Sequence, residues 1–258
     1  MAVRGMERVP SADPVALVTG GTGGIGSAIC STLAAAGFRV AVGYRESAAQ
    51  AQTLVESLLG VGHIALHVPV TDTLALGEAA RRLSEQYGRC DVLINCAGTT
   101  RFVPHEALDA LDDELIDEIL AVNVRGAFAA VRSLAPLLRR STQSGGAVVV
   151  NISSIAARTG MGSNVMYCAS KAALDNMTLS LARALAPAVR VVSVSPGLVD
   201  TEFVRSLDRT WRDEQAARTP LGRLAAPAEV AAAVLAVVRD LKFTTGCVLG
   251  VDGGRPLS

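Results

Sequence analysis

A run of glycines near the start of the chain limits the folds that this sequence can adopt. The β-rich run 15–19 leads directly into a loop that includes Gly20, Gly23, Gly24 and Gly26, and a helical pattern follows. Glycines let a backbone approach a pyrophosphate closely, and the amino end of a helix supplies free N–H groups and a positive dipole. G-x-G-x-x-G between a strand and a helix indicates a dinucleotide-binding unit. A glycine-rich turn without a ligand is the structural alternative.

The remaining sequence alternates short β-rich runs with longer helical stretches. Strands are predicted at 15–19, 38–42, 63–68, 91–95, 147–152, 189–194 and 247–251. Helices are predicted at 27–36, 48–59, 74–87, 112–139 and 227–238, and from the segment holding Tyr167 to about 186. This alternation predicts an α/β fold: a single Rossmann-like, doubly wound parallel sheet of about seven strands with helices on both faces. Only 3% of the residues are aromatic while 50% are hydrophobic, and such an aliphatic core suits a sheet buried on both faces.

One domain is expected over residues 14–258, because α/β folds of this length commonly stay undivided. Residues 1–13 are polar, lack the apolar stretch of a signal peptide and are expected to form a short flexible extension. The segment 200–226 is rich in charged residues and holds Trp211, the only tryptophan. It is expected to be an irregular insertion that acts as a substrate lid.

Charge and cysteine content narrow the choice of partners. Lys+Arg and Asp+Glu both number 24, so neither a nucleic acid nor an anionic membrane surface is expected as a partner. No apolar run reaches the roughly 18 residues of a membrane span. The five cysteines are scattered without metal-ligand spacing, which indicates no metal site and a protein of the reducing cytoplasm.

The end of the second predicted strand bears on the choice of dinucleotide. An acidic residue there would hold the ribose 2′-hydroxyl of NAD, but the chain has Tyr44 and Arg45. Arg45 is therefore available to pair with a 2′-phosphate, whose geometry suits a guanidinium. Glu46 follows directly, and a solvated Arg45 is the alternative. NADP(H) is the preferred cofactor, and NAD(H) is the alternative.

A phenol and an ammonium stand four residues apart at Tyr167 and Lys171, within a predicted helix. Residues at i and i+4 share a helix face, with Cβ atoms roughly 5–6 Å apart. The lysine cation favours the phenolate, so it is expected to lower a phenol pKa that starts at about 10 and to allow proton transfer near neutral pH. The alternative is an ordinary pair on a solvated helix face.

Four motifs stand in order along the chain: the glycine loop, Asn95-Cys96-Ala97-Gly98, the Tyr167/Lys171 pair and Pro196-Gly197. Together they resemble the classical short-chain dehydrogenase/reductase family, and the resemblance covers residues 14–254. The glycine loop and the terminal Val-Asp-Gly-Gly at 251–254 look most like the branch of 3-oxoacyl-[acyl-carrier-protein] reductases and acetoacetyl-CoA reductases.

The resemblance implies a catalytic set of four residues, namely Asn123, Ser154, Tyr167 and Lys171. Hydride would pass between C4 of a nicotinamide and a carbonyl carbon, while Tyr167 gives the proton and Ser154 binds the carbonyl oxygen. Lys171 would tune Tyr167 and bond the nicotinamide ribose. Asn123 would anchor a water that links Lys171 to solvent, and Ser153 is expected to be structural.

The same resemblance assigns the cofactor contacts. The pyrophosphate loop would comprise Gly20, Thr22, Gly23, Gly24, Ile25 and Gly26, and the 2′-phosphate end would comprise Tyr44 and Arg45. The adenosine side would be lined by Asn95, Ala97, Gly98 and the amide of Val70, since Pro69 replaces the Asp or Asn usual in the family. The nicotinamide side would be formed by Tyr167, Lys171, Pro196, Gly197, Val199 and Thr201.

The first hypothesis for function is reduction of a 3-oxoacyl thioester. The alternatives are an alcohol, sugar or steroid dehydrogenase on the same scaffold and, more remotely, a non-catalytic NADP-binding regulator. The substrate pocket is expected from residues 99–105, 155–164 and 202–221. By analogy with the family, the helix ending near Arg139 and the Tyr167 helix would form a homodimer interface within a homotetramer. Arg139 and Arg140 are expected to be solvated at a helix end, and docking of an acyl carrier protein is the alternative.

Overall fold

The computed structural model describes residues 13–257 of the chain. The strands in that range are β1 Val15–Thr19, β2 Arg39–Tyr44, β3 Ile64–His67, β4 Val92–Asn95, β5 Ala147–Ile152, β6 Val189–Pro196 and β7 Cys247–Val251. All pair in parallel, in the order β3-β2-β1-β4-β5-β6-β7. The winding reverses between β1 and β4, which places a ligand crevice at their carboxyl ends. The predicted fold class is confirmed, and residues 1–12 of the predicted extension lie outside the described range.

Helices cover both faces of the sheet. The helices are α1 Gly24–Ala35, α2 Ala48–Ser57, α3 Thr73–Tyr87, α4 Asp113–Leu120, α5 Ala127–Leu138, α6 Ala156–Thr159, α7 Val165–Leu185, α8 Glu202–Arg205, α9 Arg209–Ala217 and α10 Pro227–Arg239. The first helix begins at Gly24 and not at 27, because loop glycines form its first turn. Within the described range, no helix combines the length and the apolar character needed to cross a bilayer.

The predicted long helical stretch at 112–139 is present, but its middle is not α-helical. Between α4 and α5, the residues Ala121–Gly126 form a π-helix. A π-helix is a local widening that often marks a functional site. Apolar spacing does not reveal it, because the flanking turns keep their ordinary period on either side.

The sequence predicted an irregular insertion at 200–226, but this segment contains the helices α8 and α9. The Thr201 hydroxyl oxygen accepts the N–H of Val204 at 3.4 Å, and the Asp208 carboxylate accepts the N–H of Trp211 at 2.8 Å. These two side chains cap the two helices. A short surface helix is polar over most of its circumference, so its composition is close to that of a loop.

Aliphatic side chains pack on both faces of the sheet. One cluster joins α3, α5 and α7 to one face and includes the fully buried Leu93 and Leu134. The other joins α1 and α10 to the opposite face and includes Ile94 and Val234. The carboxyl edge of the sheet is therefore a rigid platform for the loops that follow each strand.

Arg190, on β6, is a buried cation whose partners are main-chain carbonyls. Its guanidinium donates to the carbonyl of Val237 at 3.1 Å, of Leu241 at 3.1 Å and of Thr244 at 3.2 Å. The last turn of a helix leaves carbonyls without helical partners, and a cation there also favours the dipole. Burial lowers the pKa of this guanidinium. Arg190 thus joins the central sheet to the carboxyl end of α10.

Candidate active site

The glycine loop closes tightly against the ends of β1 and β4. A Cβ placed on Gly26 would lie 2.2 Å from the Gly20 carbonyl oxygen, and a Cβ on Gly20 would lie 2.9 Å from Ala97 Cα. The φ of +63° at Gly20 also favours glycine. The loop therefore presents backbone at the amino end of α1, where the first N–H groups have no helical partners.

Thr19 was not among the predicted site residues, but it bonds the end of β1 to the end of the neighbouring strand β4. Its Oγ1 accepts the N–H groups of Cys96 and Ala97, both at 3.1 Å, and donates to the Ile94 carbonyl at 3.3 Å. One buried hydroxyl therefore holds the exits of β1 and β4 side by side. The available signal was a polar residue at the last position of an otherwise apolar strand.

The turn after β6 lies against the glycine loop. A Cβ on Gly24 would lie 3.0 Å from Thr201 Cγ2. The Thr201 N–H donates to the Val199 carbonyl at 2.8 Å, and Gly197 donates to the Val251 carbonyl at 3.0 Å. The structure thus brings the predicted nicotinamide turn to the predicted pyrophosphate loop.

Arg45 lies at the exit of β2 with its guanidinium exposed. Its Nε lies 3.0 Å from a carboxylate oxygen of Glu46, and both side chains face solvent. Beside it, the Tyr44 ring lies 5.6 Å from the ring of His67. The cation predicted to hold a 2′-phosphate is therefore accessible, but it has a neighbouring carboxylate as a competitor.

Helix α7 presents Tyr167 and Lys171 on one face at the carboxyl edge of the sheet. Lys171 is only 6% exposed, its Nζ donates to the Ile152 carbonyl at 2.8 Å, and it lies 5.6 Å from the centroid of the Tyr167 ring. Ile152 is the last residue of β5, so the ammonium is fixed to the sheet. This burial contradicts the alternative of an ordinary pair on a solvated face.

Two serines follow β5 and differ in their contacts. The Ser153 hydroxyl is buried and donates to the main-chain carbonyl of Lys171 at 3.4 Å, which joins β5 to α7. The half-buried Ser154 hydroxyl oxygen accepts the N–H of Ala156 at 3.2 Å. Ser154 keeps its own hydrogen for another acceptor, because a hydroxyl both accepts and donates.

Asn123 is buried in the π-helix and holds the loop after β4. Its Oδ1 accepts the Thr99 N–H at 2.8 Å, and its Nδ2 donates to the Thr99 carbonyl and to the Ser170 hydroxyl, both at 3.1 Å. Both Nδ2 donors are used by the protein. The water that Asn123 is predicted to anchor would therefore have to bond its main chain or the second lone pair of Oδ1.

The Asn95 side chain is held within the sheet, so only its main chain is available to line the adenosine side, and that contact stays a prediction. Its Nδ2 donates to Asn151 Oδ1 at 2.9 Å, and Asn151 donates to the Thr178 hydroxyl at 2.8 Å. Thr178 and Ser193 share a hydrogen bond of 2.8 Å. Side chains of a strand alternate between its two faces, and that of Asn95 falls on the face covered by α7. It belongs to a buried polar ladder across β4, β5 and β6.

The Val70 side chain is also buried in the core. A Cβ on Gly126 would lie 2.7 Å from Val70 Cγ2, so the π-helix packs directly on Val70. Its amide lies after β3, near the predicted adenine side. The contact of that amide with the adenine ring stays a prediction.

The thiols beside the glycine loop are uncharged at neutral pH. Desolvation raises the pKa of Cys96 to about 11, although Lys171 acts in the opposite direction, and burial also raises the pKa of Cys30. Neither thiol therefore adds negative charge near the amino end of α1. In residues 13–257, no group of His, Cys, Asp or Glu is arranged to hold a metal ion.

The glycine loop leaves bare backbone at the amino end of α1, and Tyr167 and Lys171 lie at the same edge of the sheet. This combination on a doubly wound sheet defines the class of dinucleotide-dependent oxidoreductases. A family model described as enoyl-(acyl carrier protein) reductase matches residues 20–255. The chain belongs to the short-chain dehydrogenase/reductase family, whose members bind nicotinamide cofactors.

Three similar proteins illustrate the range of the family. A protein named ketoacyl reductase 2 of granaticin polyketide synthase, from Streptomyces violaceoruber, is 40% identical over 95% of this chain and 96% of its own length. A cis-4-hydroxycyclohexanecarboxylate dehydrogenase from Sinomonas cyclohexanicum is 35% identical over 94% of this chain and 96% of its own. The structure of a short-chain dehydrogenase/reductase from Serratia marcescens superimposes with a TM-score of 0.83 at 33% identity, covering 96% of this chain and 99% of that chain. The predicted likeness to ketoacyl reductases is confirmed.

Proposed function

We propose that the chain is an NADPH-dependent reductase that converts the ketone of a 3-oxoacyl thioester into an alcohol. The observation that carries this proposal is the position of Lys171, whose buried ammonium lies 5.6 Å from the Tyr167 ring. A cation placed there stabilises the phenolate that remains when Tyr167 gives up its proton. The choice of a 3-oxoacyl substrate is supported by the ketoacyl reductase at 40% identity.

The residues at the carboxyl edge fit a dinucleotide. Gly20 and Gly26 leave no room for a Cβ, so the loop backbone itself lies at the amino end of α1. The pyrophosphate would rest on residues 22–25, and Arg45 would hold a 2′-phosphate, which favours NADP(H) over NAD(H). When bound, the nicotinamide supplies the hydride that reduces the carbonyl carbon.

The chain's own residues hold one oxygen and move one proton. As negative charge develops on the substrate oxygen, the Ser154 hydroxyl donates a hydrogen bond to it and Tyr167 donates its proton. The Lys171 ammonium balances the phenolate. Asn123 bonds the Thr99 main chain and the hydroxyl of Ser170, the residue before Lys171, and a water beside them would return a proton from solvent.

A second candidate is oxidation of a secondary alcohol, which the relative named as a hydroxycyclohexanecarboxylate dehydrogenase supports. The same residues would then act in reverse, with the Tyr167 phenolate accepting the hydroxyl proton. A non-catalytic NADP-binding role is the remaining alternative, and the presence of all four residues of the predicted catalytic set argues against it.

We further propose that the protein is a homodimer, paired into a homotetramer, of the reducing cytoplasm. Phe128 on α5 and Leu179 on α7 expose 43% and 44% of their surface, and these are the helices predicted to form the dimer interface.

All five cysteines lie in the described range and are free thiols, which suits a reducing compartment. Arg139 is exposed and Arg140 donates to the Ser84 hydroxyl at 3.5 Å, as a solvated helix end requires, and carrier-protein docking stays the alternative.

The test of function compares substrates side by side by the absorbance of NADPH. Acetoacetyl-CoA, simple ketones and sugars are offered with NADPH, and secondary alcohols are offered with NADP⁺. We expect the highest kcat/KM for the thioester. Alcohol oxidation without thioester reduction would replace the first candidate by the second, and NADPH binding without any turnover would favour the regulator.

Removing the Tyr167 hydroxyl tests the mechanism. We expect Tyr167→Phe to lower kcat at least about 100-fold, because a positioned general acid contributes about that much or more. NADPH affinity, measured by fluorescence titration, should stay within about twofold, because the ring remains in place. Tyr87→Phe is the matched control, since its hydroxyl bonds the Gly62 carbonyl far from this edge, and it should turn over normally. A near-normal rate for Tyr167→Phe would exclude Tyr167 as the acid.

A further inference from the structure

Asn164 is a buried amide at the start of α7, three residues before Tyr167. It is 1% exposed. Its Oδ1 accepts the main-chain N–H of Tyr167 at 2.7 Å, while its Nδ2 donates to the Thr100 hydroxyl at 3.2 Å and to the Arg101 carbonyl at 2.8 Å. One side chain therefore bonds both the backbone of the proposed acid and the loop that follows β4.

That loop, residues 98–111, borders the catalytic edge. A Cβ on Gly98 would lie 3.8 Å from Lys171 Nζ. Farther along, the Val103 N–H donates to the Ser163 carbonyl at 2.8 Å, and the hydroxyls of Thr100 and Ser163 are 2.5 Å apart. Asn123 holds Thr99, and Asn164 holds the next two residues of the loop.

Only an amide can make these contacts together. Oδ1 must accept and Nδ2 must donate, and the Arg101 carbonyl can do nothing but accept. A carboxylate of the same shape would keep the bond from the Tyr167 N–H, and its charge would suit the amino end of a helix. It would face the Arg101 carbonyl with an oxygen and lose that bond. The Thr100 hydroxyl could still rotate and donate a hydrogen bond to this carboxylate.

We propose that Asn164 is a positioning residue that sets the substrate-side loop against Tyr167. The proposal rests on the proposed function, in which Tyr167 is the acid and residues 99–105 contact the substrate. Two roles meet in one side chain: capping α7 keeps the fold intact, and holding Arg101 fixes where the substrate lies relative to the phenol. The second role can be removed without the first.

The test is Asn164→Asp, with the substrate that the wild-type protein reduces best. We expect the midpoint of thermal unfolding to fall only moderately, because the cap persists while a buried carboxylate oxygen now faces the Arg101 carbonyl. KM should rise about tenfold while kcat changes less than about threefold, since the loop is released but the Tyr167 backbone stays bonded. Asn164→Ala removes both contacts, so it should also lower kcat and the unfolding midpoint.

Trypsin gives a readout that does not depend on turnover. The Arg101–Phe102 bond follows the carbonyl that Asn164 holds, so its cleavage, followed by mass spectrometry, should quicken in Asn164→Asp. Asn176→Asp makes the same chemical change at an exposed position of α7 and should alter neither KM nor this cleavage. Thr100→Val should raise KM less, and its effect should not add fully to that of Asn164→Asp.

The outcomes separate this proposal from the proposed function. Wild-type KM and wild-type cleavage at Arg101 in Asn164→Asp would overturn the positioning role. A fall in unfolding midpoint with an unaltered KM would reduce Asn164 to a helix cap and also overturn it. A wild-type protein without activity would remove the proposed function, and faster cleavage in Asn164→Asp would then still show that the tether exists.

Discussion

In the proposed function, the 2′-phosphate of NADPH competes with one neighbouring carboxylate for Arg45. Its guanidinium is exposed, and its Nε lies 3.0 Å from Glu46. An exposed pair of this kind is worth little, about 0.2–1 kcal/mol, whereas a charge-assisted bond to a phosphate contributes about 1.5–3 kcal/mol. A 2′-phosphate should therefore displace Glu46 from Arg45, at a small cost in affinity.

Changing each partner separately measures that competition. We expect Arg45→Gln to weaken NADPH binding about tenfold and to leave NADH binding nearly unchanged, because only NADPH carries the 2′-phosphate. Glu46→Gln should strengthen NADPH binding about two- to threefold. Fluorescence titration at fixed ionic strength gives both values. Equal losses for the two cofactors in Arg45→Gln would contradict a phosphate contact.

The spacing of residues predicted part of this site and missed the rest for a physical reason. Tyr167 and Lys171 lie on one helix, so their proximity follows from the i,i+4 geometry. Thr19 and Asn164 act through hydrogen bonds to residues that are distant in the chain. Thr19 bonds Cys96, 77 residues away, and Asn164 bonds Arg101, 63 residues away. A local sequence pattern does not predict such distant contacts. The burial of the Asn95 side chain was likewise unpredicted, because it depends on which face of the sheet α7 covers.

At the scale of elements, the junction between β1 and α1 is the tightest contact described above. The Gly20 carbonyl occupies the place that a side chain at Gly26 would need. The glycine pattern predicted this junction well, because close approach of backbone is what glycine permits. The π-helix was not predicted, since Gly126 packing on Val70 and Asn123 bonding Thr99 are tertiary contacts.

Two glycine-to-alanine changes on different helices should have opposite effects. Gly26→Ala should destabilise the fold by about 1–3 kcal/mol through overpacking and should abolish dinucleotide binding. Gly77→Ala, on α3, meets no atom within 4 Å and should stabilise the fold by about 0.5–1 kcal/mol. Denaturant unfolding and cofactor titration measure both. A Gly26→Ala protein that binds NADPH normally would contradict the close approach of loop and cofactor.

At the scale of the whole molecule, the alternating pattern of strands and helices predicted the sheet and its parallel sense. The pattern does not predict how copies of the chain assemble, because an interface depends on surface residues that are distant in the sequence. Phe128 and Leu179 stay exposed on the two helices predicted to pair, and the Arg132 guanidinium lies 5.8 Å from the Phe128 ring centroid. Large apolar side chains at such positions are candidates for an interface between copies.

A charge placed in that surface tests the assembly. We expect the wild-type protein to elute above the monomer mass in size-exclusion chromatography with light scattering, and Leu179→Glu to shift it to a smaller species. The cause would be an unpaired carboxylate buried in the interface. Leu59→Glu changes a leucine that is 69% exposed and follows α2, so it should leave the mass unaltered. An unaltered mass in Leu179→Glu would place the interface elsewhere.

The hydrogen bonds of Arg190 between β6 and the end of α10 should respond to ionic strength differently from the surface ion pairs. Its partners are neutral carbonyls within the fold, and added salt screens buried interactions much less than exposed ones. The surface pairs, such as Arg223 with Glu229, join opposite charges in open solvent and weaken as salt rises. Concentrated salt should therefore weaken the Arg223–Glu229 pair at the start of α10 while the Arg190 bonds at its far end persist.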